Sequence, residues 1–405
     1  MSPAARRMVV AQRHRGSFKR AQPFALDHAR VIMEPDLLNP VEVEGVLNPA
    51  AIRSPEGSLY LFPRLVARGN YSRIGLARVR FDADGEPTSI ERMGIALEPS
   101  EPYEKNPFTG GGCEDPRITY LEPFGRYVMT YTAFSSFGPR IALAVSEDLV
   151  HWQRLGLARF SFAAHLDLDS ADNKDALLFP SLITNPRTGQ PAVALIHRPF
   201  LMESPTALAR ALQPEPPGPI DRAWRIRPSR ARHPSMWISY CDNPRSVDDL
   251  TEYRSHRRLL SPRASWERLK VGGGAPPLPT PHGWLVIYHG VAGQEVPKGR
   301  ARYSAGAVIL DPELPEHIRF RSSRPILRPT TPDAHFGALN VVFPTALDQR
   351  LDLGQPERVD VYFGIGDRKI GVATLHLPNV LDVSNGGQPA KAHALNTASA
   401  SGWGA

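Results

Sequence analysis

Short hydrophobic runs separated by turn residues dominate the chain. Five runs of four or five residues each follow a turn rich in glycine, proline or aspartate, and they align with one another: Leu59–Phe62, Tyr127–Tyr131, Ala192–Ile196, Trp284–Tyr288 and Val359–Phe363. A second short run follows each of them, at Ile74–Ala77, Ile141–Ala144, Met236–Ser239, Gly306–Ile309 and Ile370–Ala373. Hydrophobic runs of this length between turn residues predict β-hairpins.

Each pair of runs follows an X-Pro dipeptide, so the chain repeats one unit five times. The dipeptides are Asn48-Pro49, Asp115-Pro116, Phe179-Pro180, Ala275-Pro276 and Phe343-Pro344. Their prolines are spaced by 67, 64, 96 and 68 residues, and the longest interval includes a Pro- and Arg-rich stretch, 204–234, that we interpret as an inserted surface loop. Because helical periodicity is weak and 41 prolines argue against long helices, the repeat predicts an all-β fold, a five-bladed β-propeller. A β-sandwich is the rival, and the repeat disfavours it.

The propeller is predicted to occupy residues 23–383. Residues 1–22 include six Lys or Arg and no acidic residue, so we interpret them as a flexible basic tail and less readily as a nucleic-acid-binding arm. Residues 384–405 are rich in Ala, Gly, Ser and Asn and are expected to be disordered. The N-terminus lacks the apolar segment of a secretory signal, and no run approaches the roughly 18 apolar residues of a membrane span. We therefore expect a cytoplasmic protein.

Charge and composition narrow the choice of ligand. The 405 residues carry a net charge of +7, and 41 of the 48 basic residues are arginine, the better partner for phosphates and carboxylates. An anionic small ligand fits this balance, whereas the basic patches interleaved with aromatics of nucleic-acid binders are not seen outside the tail. Two cysteines, Cys113 and Cys241, are too few for a disulfide framework or a four-cysteine zinc site and indicate a reducing compartment. Since no metal, phosphate-loop, nucleophile-elbow or dinucleotide motif is found, neither a metal nor a cofactor is expected.

Matching positions of the five repeats should surround one central cavity, because the innermost strands of a propeller converge on its axis. The residues expected there are Asn48, Asp115, Asp175 and Gly274, with Arg64, Tyr131, Arg198, His289 and Asp367 from the strands that follow. A purely structural repeat should carry similar residues at matching positions. These positions instead carry unlike polar groups, which is typical of a functional site.

The segment Gly110–Arg117 carries the first candidate for chemistry. Its three glycines let a backbone or a ligand approach closely, and Asp115 stands before a proline, which favours an extended backbone that aims the carboxylate across the axis. The alternative is a tight turn in which Asp115 pairs with Arg117. The charged run from Asp172 to Asp175 leads directly into an apolar strand, and its alternative is a solvated loop with internal ion pairs.

Four basic residues follow in the third and fourth repeats. Lys174 lies in the charged run, Arg198 directly after a buried strand, Lys270 before a glycine-rich segment, and His289 at the end of a hydrophobic run. A lone histidine at a strand end is more often structural than catalytic. Four basic groups around one axis change that balance, because they would make a cradle for a phosphate dianion.

In their order along the chain, these segments resemble glycoside hydrolase family 130, the β-mannoside phosphorylases and their relatives, from about residue 48 to residue 377. The resemblance is carried by Asn48–Ala50, Ser72–Ala77, Glu114–Ile118, Ser146–Leu149 with Trp152, Asn173–Ala176, Phe179-Pro180, His197–Pro199, Gly283–Leu285, Tyr288–Val291, Asn340–Pro344 and Gly364–Asp367. Each segment is weak alone, but their order and spacing together are specific. The resemblance also implies a five-bladed propeller.

The resemblance implies a reaction and a role for each candidate. Asp115 would be the general acid, donating its proton through the sugar 3-hydroxyl, while phosphate attacks the anomeric carbon from the opposite face with inversion. The products would be α-mannose 1-phosphate and a shortened saccharide. The phosphate would be bound by Lys174, Arg198, Lys270 and His289. The mannosyl unit would be bound by Asn48, Arg64 and Asp367, with Tyr131 as a further member, and we add Asp175 to this substrate-binding set from its place at the inner ring.

Two other functions are weighed against phosphorolysis. A β-mannosidase would need a second carboxylate to activate water, and relatives that hydrolyse tend to lose the phosphate-binding cations, which this chain keeps. A non-catalytic glycan-binding propeller is disfavoured by Asp115 in its Gly-rich segment. The expected partners are a mannose-containing oligosaccharide and inorganic phosphate, without nucleic acid or membrane. The linkage (β-1,2 or β-1,4), the acceptor sugar and a homo-oligomeric state are left open.

Overall fold

The structure is a computed structural model that describes residues 23–107, 110–162, 167–201, 233–293, 301–329 and 340–381. The predicted basic tail, nearly all of the 204–234 insertion and the C-terminal segment from residue 384 lie outside the described residues. Within the described ranges the helices are single 3-10 turns, at Pro102–Glu104, Glu122–Phe124, Val247–Asp249, Ser265–Glu267 and Leu351–Leu353. None of these described turns has the length or the apolar character that crossing a membrane requires.

β-Strands make up the rest of the regular structure, and they contain all ten of the hydrophobic runs. The strands up to residue 157 are β1 (Leu26–Met33), β2 (Gly45–Arg53), β3 (Leu59–Ala67), β4 (Tyr71–Phe81), β5 (Pro87–Leu97), β6 (Gly111–Leu121), β7 (Arg126–Ser135), β8 (Gly138–Ser146) and β9 (Gln153–Leu157). Those up to residue 260 are β10 (Arg159–Phe160), β11 (Asp172–Leu178), β12 (Ile183–Thr184), β13 (Pro191–Phe200), β14 (Met236–Asp242) and β15 (Glu252–Leu260). The last are β16 (Lys270–Gly273), β17 (Leu278–Thr280), β18 (Gly283–Gly293), β19 (Ala301–Leu310), β20 (Ile318–Arg321), β21 (Val342–Gln349), β22 (Arg358–Ile365) and β23 (Lys369–His376).

The described strands form five four-stranded antiparallel blades, which confirms the predicted five-bladed propeller. From the innermost strand outward, the blades are β2-β3-β4-β5, β6-β7-β8-β9, β11-β13-β14-β15, β16-β18-β19-β20 and β21-β22-β23-β1. A short parallel pairing of β4 with β6 links the first two blades, and β10 adds a parallel strand beside β15 at the edge of the third. The hydrophobic runs form the second and third strands of each blade, and the X-Pro dipeptides lie on or just after the innermost strands. The outer strand of the fifth blade comes from the start of the chain, because β1 pairs with β23, for example Leu26 with Leu375. This pairing, which the repeat does not predict, joins the two ends of the chain.

Hydrophobic clusters fill the space between each pair of neighbouring blades. Successive residues of a strand point to opposite faces of the sheet, so each blade packs against both of its neighbours. Residue pairs that share a cluster, taken around the ring, are Phe62 with Met129, Val128 with Leu195, Ile196 with Val286, Ile287 with Val361 and Leu61 with Tyr362. Burial on both faces explains why the runs are continuously hydrophobic instead of alternating. The last pair joins the fifth blade to the first and closes the ring.

Candidate active site

A cavity of about 740 Å³ lies where the innermost strands meet, and residues from all five blades line it. Nine of the residues expected around the axis are part of its lining: Asn48, Arg64, Asp115, Lys174, Asp175, Arg198, Lys270, His289 and Asp367. Tyr131 and Gly274 are not, and the backbone oxygen of Gly274 instead accepts a hydrogen bond from Arg117 Nε at 2.9 Å. The nine lining residues are scattered over more than three hundred positions of the chain. The propeller brings them together as the repeat predicts.

A backbone bulge aims three of these side chains. The innermost strands of the first three blades each lose their register with the next strand at one point, and Asn48, Asp115 and Asp175 lie at these points. All three have a positive φ, of 45°, 47° and 57°. The expectation of an extended Asp115 is therefore wrong. A bulge places an extra residue in one strand and re-aims its side chain, and Asn and Asp tolerate the left-handed conformation better than most residues.

Asp115 is buried and is held by groups from the first blade. Asn48 Nδ2 donates a hydrogen bond to Asp115 Oδ1 at 2.9 Å, and Arg64 Nη1 donates to the same oxygen at 3.3 Å. Arg117 donates to the backbone oxygen of Asp115 at 2.7 Å, so the alternative of a carboxylate paired with Arg117 is wrong. Burial raises the pKa of Asp115, but Arg64, Arg117, Lys174 and the bond from Asn48 together lower it below its ordinary value. The unliganded carboxyl group is therefore ionised at neutral pH.

Glu114 is a member of the site that the sequence analysis did not single out. Its buried carboxylate accepts from Arg64 Nη2 at 2.9 Å and from Lys174 Nζ at 3.4 Å. It therefore links a residue predicted to bind the sugar with one predicted to bind phosphate. The signal in the sequence is a second carboxylate directly before Asp115, in the glycine-rich segment Gly110–Arg117.

A third buried carboxylate, Asp175, organises the part of the cavity formed by the third and fourth blades. Arg198 Nε donates to Asp175 Oδ2 at 2.6 Å, and His289 Nε2 lies 3.6 Å from the same oxygen. Burial raises the pKa of Asp175, but Arg198, His289 and Arg117 lower it well below its ordinary range. Asp172–Leu178 is strand β11 and Asp175 is 2% exposed, so the alternative of a solvated loop is wrong. Arg198 is thus held in a fixed position at the cavity wall.

His289 is buried and neutral. Burial, aided by Arg198, Arg117 and Lys270, lowers its pKa to about 3 despite the opposing effect of Asp175. Neither of its ring nitrogens has a hydrogen-bond partner among the described residues. Buried polar groups are nearly always hydrogen-bonded, so these nitrogens are available to a ligand or a water molecule in the cavity. The basic set predicted to bind phosphate therefore combines Lys174, Arg198 and Lys270 with a neutral imidazole.

The two lysines flank this cluster. Lys174 Nζ lies 5.2 Å from the centre of the Phe134 ring, and Lys270 Nζ lies 5.4 Å from the centre of the Tyr303 ring. Gly272 pairs with His289 on the neighbouring strand, and an added Cβ there would lie 2.2 Å from Asp175 Oδ2 and 2.5 Å from His289 Cε1. A glycine is therefore required at this point to let the carboxylate and the imidazole sit side by side.

The prediction that Tyr131 contacts the sugar is wrong. Tyr131 is 2% exposed within the cluster between the first and second blades, and its hydroxyl donates to Glu104 Oε1 at 2.5 Å. Arg154 Nε also donates a hydrogen bond to Glu104 Oε1, at 2.8 Å. The fourth blade repeats the arrangement, with Tyr288 donating to Glu267, which also accepts from Arg321. Tyr131 and Tyr288 end aligned hydrophobic runs, and this match was the signal of a structural role.

Replacement of Tyr131 by phenylalanine is expected to lower the free energy of unfolding by about 1–3 kcal/mol, because the buried Glu104 carboxylate loses a donor. The KM values for sugar and phosphate should stay unchanged. Tyr288→Phe is the matched variant, since it removes the same bond in the fourth blade. Chemical denaturation and steady-state kinetics on both variants check this. A rise in the sugar KM in Tyr131→Phe alone would return Tyr131 to the substrate-binding set.

The pKa of His289 predicts a loss of stability in acid. Its ordinary pKa is 6.5 and its folded value is about 3, so between these values the unfolded chain binds a proton that the folded protein does not. The contribution is complete above pH 6.5 and is lost as the pH falls through this window, by about 1.4 kcal/mol per pH unit for one proton. His197 and His256, whose pKa values burial also lowers, act with the same sign. Denaturant unfolding of the wild type and of His289→Asn across this pH window tests the prediction. The slopes of the free energy of unfolding against pH should differ between them by the amount that one proton gives. Equal slopes would contradict a neutral His289.

Comparison with known proteins gives concordant similarities. The model of a family described as beta-1,4-mannooligosaccharide phosphorylase matches residues 15–196 and 229–385. The chain is 28% identical over 356 residues to a 1,2-beta-oligomannan phosphorylase of Thermoanaerobacter sp. (strain X514), covering 86% of this chain and 96% of that protein. It is 26% identical to a beta-1,4-mannooligosaccharide phosphorylase of Ruminococcus albus, covering 75% of this chain and 74% of that protein. A solved structure of beta-1,2-mannobiose phosphorylase from Listeria innocua, in complex with beta-1,2-mannobiose, has a TM-score of 0.57 and 22% identity over 86% of this chain and 91% of its own. This last similarity supports the propeller fold.

Proposed function

Because the chain belongs to glycoside hydrolase family 130, we propose that it is an inverting β-mannoside phosphorylase. It would cleave the terminal β-mannosyl linkage of an oligosaccharide with inorganic phosphate and give α-mannose 1-phosphate and a shortened saccharide. The observation that carries the proposal is the buried carboxylate of Asp115 in the same cavity as Lys174, Arg198 and Lys270. The named relatives are phosphorylases of β-1,2- and β-1,4-mannosides, and both linkages are candidates for this chain.

Phosphate is proposed to bind between Lys174, Arg198, Lys270 and His289. The three cations would offset the charge of a dianion, and a neutral imidazole can donate one hydrogen bond to a phosphate oxygen. The unpartnered, buried ring of His289 supports this placement. Phosphate is already a nucleophile, so it needs to be positioned by these groups and does not need a base to activate it. The reaction can therefore proceed with one catalytic carboxylate.

Asp115 is proposed to protonate the departing oxygen through the sugar 3-hydroxyl. As the bond from C1 to the glycosidic oxygen breaks, its electron pair stays on that oxygen, and a phosphate oxygen forms the new bond to C1 from the other face. The proton on the attacking hydrogen phosphate is released to water from the product, because the second pKa of a phosphate monoester is about 6. Asp115 then regains a proton from water, so the cycle balances.

Phosphate binding also accounts for the protonation of Asp115. In the unliganded protein, Arg64, Arg117 and Lys174 hold its pKa low. A dianion bound beside Lys174 would offset the charge of that lysine, and its own negative charge would raise the pKa of the carboxyl group. Proton loading and phosphate binding are therefore linked in this proposal, and the acid becomes competent when the nucleophile is present.

The mannosyl unit is proposed to sit over the first and fifth blades, against Asn48, Arg64 and Asp367. Arg64 is fixed by Glu114 and by Ser72, whose hydroxyl accepts from Arg64 Nε at 2.9 Å. Asp367 has a positive φ of 53° in the turn after β22 and lines the cavity. Fixed polar groups around a small cavity can orient a sugar ring through its hydroxyls.

The experiment that tests the proposal is a product assay on β-1,2- and β-1,4-mannobiose, with and without inorganic phosphate. Formation of mannose 1-phosphate that depends on phosphate supports it and identifies the linkage. Mannose released at the same rate in both samples would make the protein a β-mannosidase. Binding of mannosides without turnover would make it a glycan-binding propeller.

We also propose a cytoplasmic location and a reaction that uses no metal or cofactor besides phosphate. Cys113 and Cys241 are both free and buried.

A further inference from the structure

A chain of buried polar side chains crosses the third blade from its innermost strand to its outermost. Each of the four strands contributes one residue: Asn173 on β11, His197 on β13, Ser239 on β14 and His256 on β15. None of the four lines the cavity. The chain nevertheless begins beside the cavity, because Asn173 and His197 directly precede Lys174 and Arg198, two residues of the proposed phosphate site.

Neighbouring members of this polar chain lie within hydrogen-bond distance of each other. His197 Nδ1 lies 3.0 Å from Nδ2 and 3.1 Å from Oδ1 of Asn173, and His197 Nε2 lies 2.8 Å from Ser239 Oγ. Ser239 Oγ lies 2.8 Å from His256 Nδ1, and His256 Nε2 lies 2.9 Å from the backbone oxygen of Ser161. The bonds therefore continue without a gap from the innermost strand to the residue that follows β10.

The carbonyl group at the outer end fixes the direction of every bond. A carbonyl oxygen only accepts, so His256 Nε2 donates to Ser161, and the Nδ1 atom of the neutral ring accepts from the Ser239 hydroxyl. Ser239 Oγ then accepts from His197 Nε2, and His197 Nδ1 accepts from Nδ2 of Asn173. Burial lowers the pKa of both histidines, which agrees with the neutral rings that this direction requires. Both imidazoles and the hydroxyl are thus satisfied, and a fully satisfied buried network specifies a single arrangement.

The polar chain meets β11 and β13 where the pairing of these two strands is interrupted. Lys174 pairs with Arg198, and the bulge at Asp175 breaks the register directly beyond this pair. A bulge disrupts the ladder locally, so backbone hydrogen bonds hold this stretch less firmly than the rest of the blade. Because successive side chains point to opposite faces, Asn173 and His197 join the two strands on one face while the two cations point into the cavity from the other.

We propose that this polar chain positions the phosphate site. Through the bond between Asn173 and His197 it fixes β11 against β13, and with them the places of the two cations that these strands carry. The proposal rests on the proposed function. It makes the members of the chain positioning residues, which act through the backbone. A change at His256, on the strand of the blade farthest from the cavity, then weakens the binding of phosphate more than the binding of mannoside.

The test breaks the polar chain at its outer end and in its middle, and measures both KM values. His256→Leu removes the acceptor of the Ser239 hydroxyl, and Ser239→Ala removes the hydroxyl with a smaller change of shape. His256→Asn is the conservative variant, because its side-chain oxygen can take the place of Nδ1 and accept the same bond. Leu250→Ala is the matched control, since it removes a buried side chain from the hydrophobic cluster between the second and third blades and leaves the polar chain intact. The thermal unfolding midpoint of each variant is recorded with its kinetics.

We expect His256→Leu and Ser239→Ala to raise the KM for phosphate by about three- to tenfold, the effect of losing one hydrogen bond, with the KM for mannoside changed by less than about twofold. His256→Asn should keep a phosphate KM close to that of the wild type. Leu250→Ala should lower the unfolding midpoint and change neither KM.

Three results would overturn the inference alone: an unchanged phosphate KM in both variants that break the polar chain, equal rises in the two KM values, or the same rise in Leu250→Ala. Wild-type protein whose turnover of mannosides does not depend on phosphate, or that has no turnover, would remove the proposed function and the inference together.

Discussion

Replacement of Asp115 by asparagine is expected to lower kcat for phosphorolysis by about a thousandfold, within the range attributed to a general acid. Asparagine has the same shape, and its side-chain oxygen can still accept the bonds from Asn48 and Arg64. It cannot supply a proton to the departing oxygen. Steady-state kinetics measure the loss, and the thermal unfolding midpoint confirms that the variant folds.

A substrate with a better leaving group separates acid catalysis from a structural role. An aryl β-mannoside with an acidic phenol needs little protonation as it departs, so Asp115→Asn should lose much less activity on it than on mannobiose. A variant that only distorts the cavity would lose activity on both substrates equally. Full activity of Asp115→Asn on mannobiose would remove Asp115 from the reaction.

Replacement of Lys270 by methionine is expected to raise the KM for phosphate by about 10- to 100-fold, the effect of losing one hydrogen bond to a charged ligand. Lys270 is the suitable cation for this test. Arg198 neutralises the buried carboxylate of Asp175, so its removal would leave an uncompensated charge and destabilise the fold. Kinetics at varied phosphate and fixed mannoside, followed by varied mannoside at fixed phosphate, separate the two KM values.

Lys369→Met is the control for the Lys270 variant. Lys369, on β23, forms an ion pair with Glu34 and does not line the cavity. Its replacement by methionine removes the same charge from the protein as Lys270→Met does. Its phosphate KM should equal that of the wild type. If Lys270→Met and Lys369→Met raise the phosphate KM equally, the effect comes from net charge, and the cradle as described is wrong.

The sequence predicts the fold and most of the site because both depend on short, local patterns of hydrophobic and turn residues. Hydrophobic runs such as Leu59–Phe62 and Ile74–Ala77 lie between clear turns, and these two runs form adjacent strands of one blade. The repeat then brings matching positions to one axis, so residues as distant as Asn48 and Asp367 could be assigned to one cavity before any contact was known.

Other features depend on contacts that no local pattern contains. The closing strand β1 has its partner, β23, more than three hundred residues away, and its alternation is broken by bulges in the pairing. The backbone of Asp115 follows from the bulge that its blade requires, and this overrides the preference of a residue before proline. Tyr131 ends an aligned run, which predicts a place at the axis. Its ring lies instead in the space between two blades, where its hydroxyl donates a hydrogen bond to Glu104. Only the three-dimensional register decides which face such a residue takes.

The most direct test of the account is to follow the anomeric protons and the phosphorus signals by NMR while the protein acts on mannobiose in phosphate buffer. Inverting phosphorolysis predicts α-mannose 1-phosphate as the first product, in an amount equal to the mannobiose consumed. The only free mannose should be the acceptor that each cleavage releases. It also predicts no reaction in a phosphate-free buffer. The β anomer as the first product would contradict inversion, and cleavage without phosphate would contradict phosphorolysis.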